Sequence, residues 1–143
     1  MIGVEIDIAV SDCISALELY EKIFEVQRRE VTAFEKGLNE AVFSIYGTQF
    51  HLLDENPECG VMAAKPDASH SMWLNVTVPD IFETFHKAIE AGCKSIHPPT
   101  EMKDFGIINA FFIDPFGILW MLHQIVKEVS FEERIRLIEN MKS

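Results

Sequence analysis

Between residues 2 and 10 the chain alternates Ile2, Val4, Ile6, Ile8 and Val10 with Gly3, Glu5, Asp7 and Ala9. A period of two predicts a strand with one apolar face. Asp12 is placed to cap a helix over 13–24, on which Ile14, Leu17, Tyr20, Ile23 and Phe24 share one side. Strands are predicted near 25–32, at 38–46 after the turn at Gly37, and at 48–54 after Gly47. The first unit is therefore β-α-β-β-β. Residues 55–70, with Pro57, Gly60, Pro66, Asp67 and Ser69, read as a linker. A strand at 72–78 leads to Asp80 and Glu83, a capping-box pattern. The helix that follows carries Ile81, Phe82, Phe85, Ala88 and Ile89, and Gly92 ends it. A short strand at 94–97, a loop from His97 to Gly106, and strands at 107–113 and 117–125 complete a second unit. Ser130 and Glu133 cap a tail helix over 131–141, whose Phe131, Ile135 and Ile138 need a surface to dock on.

The two units are copies. Val4 to Asp12 reads against Met72 to Asp80, an offset of 80 − 12 = 68. Asn39–Phe43 reads against Asn109–Ile113, and Gly47–Leu52 against Gly117–Leu122, both at 117 − 47 = 70. Three matches in one order make the fold α+β, with tandem β-α-β-β-β units plus a C-terminal helix. The units run 1–54 and 71–126, in one domain of 143 residues that is long enough for a sound core.

Composition narrows the classes. The formal charge is −11, so nucleic acid is not an expected partner. No apolar run reaches about 18 residues, which predicts no membrane span. The start MIGVEIDIAVSD has no basic region or cleavage signal, and Cys13, Cys59 and Cys93 are scattered without a CxxC spacing. A cytoplasmic protein with three isolated thiols is expected.

The paired units, with Asp54-Glu55-Asn56-Pro57 after the fourth strand, Asp114-Pro115-Phe116-Gly117 with Trp120 beyond it, and the tail Val129-Ser130-Phe131-Glu132-Glu133, resemble the vicinal oxygen chelate superfamily. That superfamily includes glyoxalase I, bleomycin-resistance proteins and extradiol dioxygenases, and the resemblance is to its PhnB-like branch. It implies that the units form a curved mixed sheet or half-barrel cleft, with a metal held from the first and fourth strands of each unit. Carried onto this chain, those positions are Glu5, His51, Trp73 and Met121. The branch's polar stretch resembling Trp-Gly-Asp-Arg is here Phe105-Gly106-Ile107-Ile108, so its arginine is absent. The branch is sometimes labelled methyltransferase-like, but the chain has no glycine-rich nucleotide-binding motif for S-adenosylmethionine.

Glu5 and His51 are able to ligate a divalent ion. Trp73 is not, and a Met thioether suits copper(I). A catalytic zinc takes three protein ligands, and non-haem iron two His and a carboxylate. His123 would complete the second set, but it stands about 6.6 Å along the strand from Met121. Asp7, on the face of Glu5, allows a paired-carboxylate reading. There is no phosphate loop and no GxSxG, and Cys59 has no His to activate it.

The expectation is a cleft that binds a small apolar or aromatic molecule, lined by Glu5, His51, Trp73, Met121 and His123, with no cofactor and no complete metal site. One alternative is a metal-dependent lyase, isomerase or dioxygenase using Glu5, His51 and a displaced third ligand such as His123. Another is a non-enzymatic dimeric module with a filled cleft. Open sheet edges and the tail helix predict a homodimer.

Overall fold

The structure is a computed structural model, and it describes residues 2–68 and 70–142. Met1, Ser143 and Ser69 of the expected linker lie outside it. The first unit contains β1 (Asp7–Val10), α1 (Cys13–Ile23), β2 (Val26–Val31), β3 (Glu40–Ile45) and β4 (Thr48–Asp54). The second contains β5 (Leu74–Thr77), α2 (Ile81–Glu90), β6 (Lys94–Met102), β7 (Ile107–Ile113) and β8 (Leu119–Ile125), and α3 (Phe131–Met141) follows. Each unit folds into a four-stranded sheet, ordered β1-β4-β3-β2 and β5-β8-β7-β6. In each, the first and fourth strands are parallel and the other pairings antiparallel.

The repeat is visible in the register. Asp7 lies opposite His51 in the first sheet, and Asn75 opposite Met121 in the second. Those equivalences are the offsets of 68 and 70 read from the sequence. The third strand corrects the alignment: Val42 opposes His51 and Phe111 opposes Met121, an offset of 111 − 42 = 69. Ala41 thus corresponds to Ala110 and Phe43 to Phe112, all four buried. Side-chain direction alternates along a strand, so only this offset keeps each residue on its own face.

Both helices begin as the sequence predicts. Asp12 accepts from the Ser15 N–H at 3.1 Å and Asp80 from the Glu83 N–H at 3.2 Å. The fourth strand of each unit supplies a second acceptor: Asp54 receives the Cys13 N–H at 2.7 Å, and Gln124 receives the Ile81 N–H at 2.9 Å. Burial favours a protonated Asp54, but the N–H groups of Cys13, Asn39 and Gly37 outweigh it and hold the carboxyl below its ordinary range.

The core lies where α1 and α2 pack on each other and on one face of each sheet. Trp120 reaches the first unit, 5.0 Å from the Tyr20 ring and 5.1 Å from Phe24. Asp114, at the tight turn before β8, accepts from Tyr20 Oη at 2.6 Å and Trp120 Nε1 at 2.9 Å, as well as from the Phe116 and Ile118 N–H groups. This buried carboxylate ties helix one to strand eight. Gly117 in the same turn has φ of 89°, and a Cβ there would meet the Ala64 carbonyl oxygen at 2.7 Å. His70 Nε2–H donates to the Gly117 carbonyl oxygen of that turn at 2.9 Å. The linker is therefore docked.

Four elements differ from expectation. Residues 2–6 precede β1 and are exposed, because β1 is an edge strand paired on one side only. The loop expected from His97 is strand as far as Met102, with breaks in register between Ser95 and Thr100. Pro98 and Pro99 are tolerated there because β6 is the other edge. Phe82 and Ile89 of α2 are exposed, and every residue of α3 is exposed or half-buried. Cys13 and Cys93 are buried, with burial pushing each thiol up to about 12, while Cys59 is exposed.

Candidate functional site

The sheet faces turned away from the helices carry the candidate residues. On the first sheet, His51 is the centre. Its Nδ1 lies 2.7 Å from Glu5 Oε1 and 3.5 Å from Asp7 Oδ1, and its Nε2 lies 3.6 Å from Glu40 Oε2. The last distance is too long for a hydrogen bond, and the buried Nε2 has no partner among the described residues. Asp7 is placed by direct cross-strand register, whereas Glu5 reaches His51 from two residues before β1.

Three carboxylates around one imidazole set the electrostatics. Burial pulls His51 down, but the hydrogen bond to Glu5 and the charges of Asp7, Glu5 and Glu40 outweigh it and raise its pKa. Glu5 is held below its ordinary value by hydrogen bonding from Asp7 and then His51, while Asp7 is raised by sharing a proton with Glu5. The cluster is an imidazole encircled by three carboxyl groups.

On the second sheet the positions equivalent to Glu5 and His51 are apolar, and those equivalent to Asp7 and Glu40 are the uncharged Asn75 and Asn109. Trp73, one residue before β5, is half-exposed and meets Phe111 edge-on at 6.0 Å between ring centroids. Met121 stands between Asn75 and Phe111 in register. A cavity of about 330 Å³ joins the two units where edge strands β1 and β5 approach, lined by Asp7, Ile8, Met72, Trp73, Leu74 and Leu119 among others. Trp73 also lines a second hollow of about 320 Å³ with Tyr46 and Phe50.

The structure thus brings Glu5 and His51 together, and places Trp73 and Met121 each beside Phe111. His123 is elsewhere. Its Nδ1 is 3.4 Å from Asn75 Nδ2, and burial holds its pKa below the ordinary value. It lines a separate cavity under α3, so it does not join Glu5 and His51. Asp7 takes the place foreseen for a third ligand: ligand atoms of Glu5, Asp7 and His51 all lie within 4.8 Å of one another. Glu40 was not anticipated. Its one sequence signal is that it shares β3's outward face with Val42, His51's cross-strand partner. His70, in the segment read from the sequence as a linker, is anchored at the Gly117 turn.

Residues 4–122 match the family model described as Glyoxalase/Bleomycin resistance protein/Dioxygenase superfamily. The uncharacterized protein Mb0911c of Mycobacterium bovis is 30% identical over 132 residues, covering 88% of this chain and 85% of that protein. Among solved structures, the fosfomycin resistance protein FosX of Listeria monocytogenes, complexed with Mn(II) and sulfate, has a TM-score of 0.68 at 17% identity, covering 96% of this chain and 99% of that one. A PhnB protein from Bacillus cereus, described as a putative 3-demethylubiquinone-9 3-methyltransferase, has a TM-score of 0.66 at 17% identity, covering 86% and 99%. At these identities the structural likenesses speak to the fold.

Proposed function

This chain belongs to the glyoxalase/bleomycin resistance protein/dioxygenase superfamily, and from that premise we propose that it binds a small aromatic or apolar molecule at the seam between its two units. The observation that carries this reading is the cavity of about 330 Å³ with Asp7 on one side and Trp73 on the other. Its size and its mixture of apolar lining with a few polar groups are those of a small-molecule site. Trp73 stacks on the flat part of the ligand, and the Asp7–Glu5–His51 cluster fixes a polar end. Titration with indole, followed by chemical shifts, tests it. Saturable shifts around Trp73, weakened about tenfold or more by Trp73→Ala, are expected. A Trp73→Ala variant that loses roughly 3–5 kcal/mol of stability with unchanged indole binding would make Trp73 ordinary core. A PhnB-like homodimer is part of the same proposal, supported by exposed Ile2 and Val4 beside the edge strand β1.

A divalent ion is the second reading, favoured by the convergence of Glu5, Asp7 and His51. The fit is partial. One imidazole and two carboxylates make a hard, oxygen-rich set suited to an ion such as manganese(II), and they do not make the two-His, one-carboxylate set of non-haem iron. Trp73 supplies no ligand and Met121 only a soft thioether. The chemistry such an ion would supply is polarisation of a bound oxygen. The residues themselves offer an imidazole and the carboxyl groups around it, which bind and orient.

A further inference from the structure

We infer that the cavity beneath α3 is a second, separate site, for an aromatic monocarboxylate that carries a hydroxyl at its far end. This cavity, of about 600 Å³, is bounded by Thr77 and His123 on the second sheet, by Ile107 and Ile125, and by Lys127 and Arg134 at its rim. None of Glu5, Asp7, Glu40, His51 or Trp73 lines it. The inference therefore stands apart from the seam site proposed above.

The rim points to an anion. Arg134 lies on the first turn of α3, where the positive end of the helix dipole disfavours a cation. Among the described residues the one partner of its guanidinium is the Phe131 ring, whose centroid is 5.5 Å from the guanidinium carbon. Neither Arg134 nor Lys127 has a carboxylate partner among the described residues, in a chain of formal charge −11 where acids outnumber bases 23 to 12. Two unpaired cations beside one hollow match a carboxylate in charge and, for Arg, in geometry. Glu128 and Glu133 line the same rim, which limits the favoured guest to a single negative charge.

The floor points to a hydroxyl. His123 lines the cavity, and Asn109, its cross-strand partner, lies outside the lining but shares its face of the sheet. Asn109 Oδ1 is buried without a donor, a state that costs free energy until a donor arrives. His123 Nδ1 faces the Asn75 amide, which leaves Nε2 to donate. A hydroxyl entering beside His123 accepts from Nε2, and Asn109 Oδ1, on the same sheet face, is the open acceptor next to it in register. Between rim and floor, Ile107, Ile125, Phe105 and Val129 contribute an apolar wall for a ring.

The test is titration of the intact chain with para-hydroxybenzoate, benzoate and para-hydroxybenzyl alcohol, read by methyl and amide chemical shifts. Saturable shifts at Ile107 and Ile125 are expected, with para-hydroxybenzoate the tightest of the three. Arg134→Gln should weaken it about tenfold. Arg136→Gln, on the same helix but outside the lining, should not, which separates a local contact from a change of net charge. Because α3 buries none of its residues, both variants should keep the parent melting temperature. Equal affinity for benzoate, equal affinity for the neutral alcohol, or an unchanged affinity in Arg134→Gln would each overturn the assignment. So would the absence of saturation at about 10 mM. Shifts centred on Trp73 that vanish in Trp73→Ala would place the ligand at the seam, sinking this site while supporting the other.

Discussion

Replacing Asp114 with asparagine should loosen the junction of the two units more than any surface change. The Asp114 carboxylate is 1% exposed and receives four hydrogen bonds. Oδ1 serves the Phe116 and Ile118 N–H groups, and an asparagine carbonyl oxygen would continue to do so. Oδ2 receives Tyr20 Oη at 2.6 Å and Trp120 Nε1 at 2.9 Å, and there the amide nitrogen would stand. The tyrosine hydroxyl is able to rotate and accept, but the indole N–H has no acceptor capacity and would face another donor. Each bond to a charged group contributes about 1.5–3 kcal/mol. Part of that loss returns, because burial raises the Asp114 pKa against the pull of its hydrogen bonds and the amide escapes the cost of a buried charge. The net loss should be roughly 2–4 kcal/mol. At about 3 °C per kcal/mol for a domain near this size, the melting temperature should fall roughly 6–12 °C. Urea denaturation of Asp114→Asn, Tyr20→Phe and the double variant measures it. The two changes should be non-additive by about 1 kcal/mol or more, since they share one bond. An Asp114→Asn variant within about 0.5 kcal/mol of the parent would refute the idea that this carboxylate joins the halves.

His51 has a folded-state pKa raised above its ordinary 6.5, so its contribution to stability is complete below that value and is lost as pH rises through the higher folded one. Urea midpoints should decline above pH about 6.5, and His51→Gln should flatten that decline; parallel profiles would refute the account. Manganese(II) titration should give at most weak stabilisation that disappears in Asp7→Asn, and about one tightly held metal per purified chain would replace the ligand-binding reading with the metal one. Sedimentation should show a dimer, and a monomer at high micromolar concentration would remove the edge-covering argument.

Much of the fold was legible because local and repeated signals agreed. Asp12, Asp80 and Ser130 each cap the helix that their spacing announced. What failed to read locally was decided by position in a sheet. Ile2 and Val4 alternate like strand residues, yet edge strand β1 has no neighbour to pair with them. His97-Pro98-Pro99 reads as a breaker, yet an edge strand has one side that needs no N–H donors. The third-strand offset slipped by one because the turn before β8, closed by Asp114, is longer than the Tyr46-Gly47 turn. The identities Ala41/Ala110 and Phe43/Phe112 carry that difference, against the single Asn39/Asn109 identity at the offset of 70.

The site was legible in outline for the same reason and incomplete for another. Register carries information across strands, so a repeat that fixes Asp7 opposite His51 also fixes Asn75 opposite Met121. That is enough to name Glu5, His51, Trp73 and Met121 as equivalent positions. It does not give reach. Glu40 approaches His51 diagonally from β3, and His123 turns toward Asn75 and the cavity under α3. Neither relation follows from equivalence between copies, because each arises where one copy departs from the other. His51 corresponds to Met121, and Glu5, Asp7 and Glu40 around it correspond to Trp73, Asn75 and Asn109. Duplication supplied two geometrically matched frames, and substitution left one rich in carboxylates and the other without any at the equivalent positions. The seam cavity, with Asp7 on one wall and Trp73 on the other, is where that divergence meets. A ligand bound there would need one face of each character, which a symmetric pair of units would not have offered.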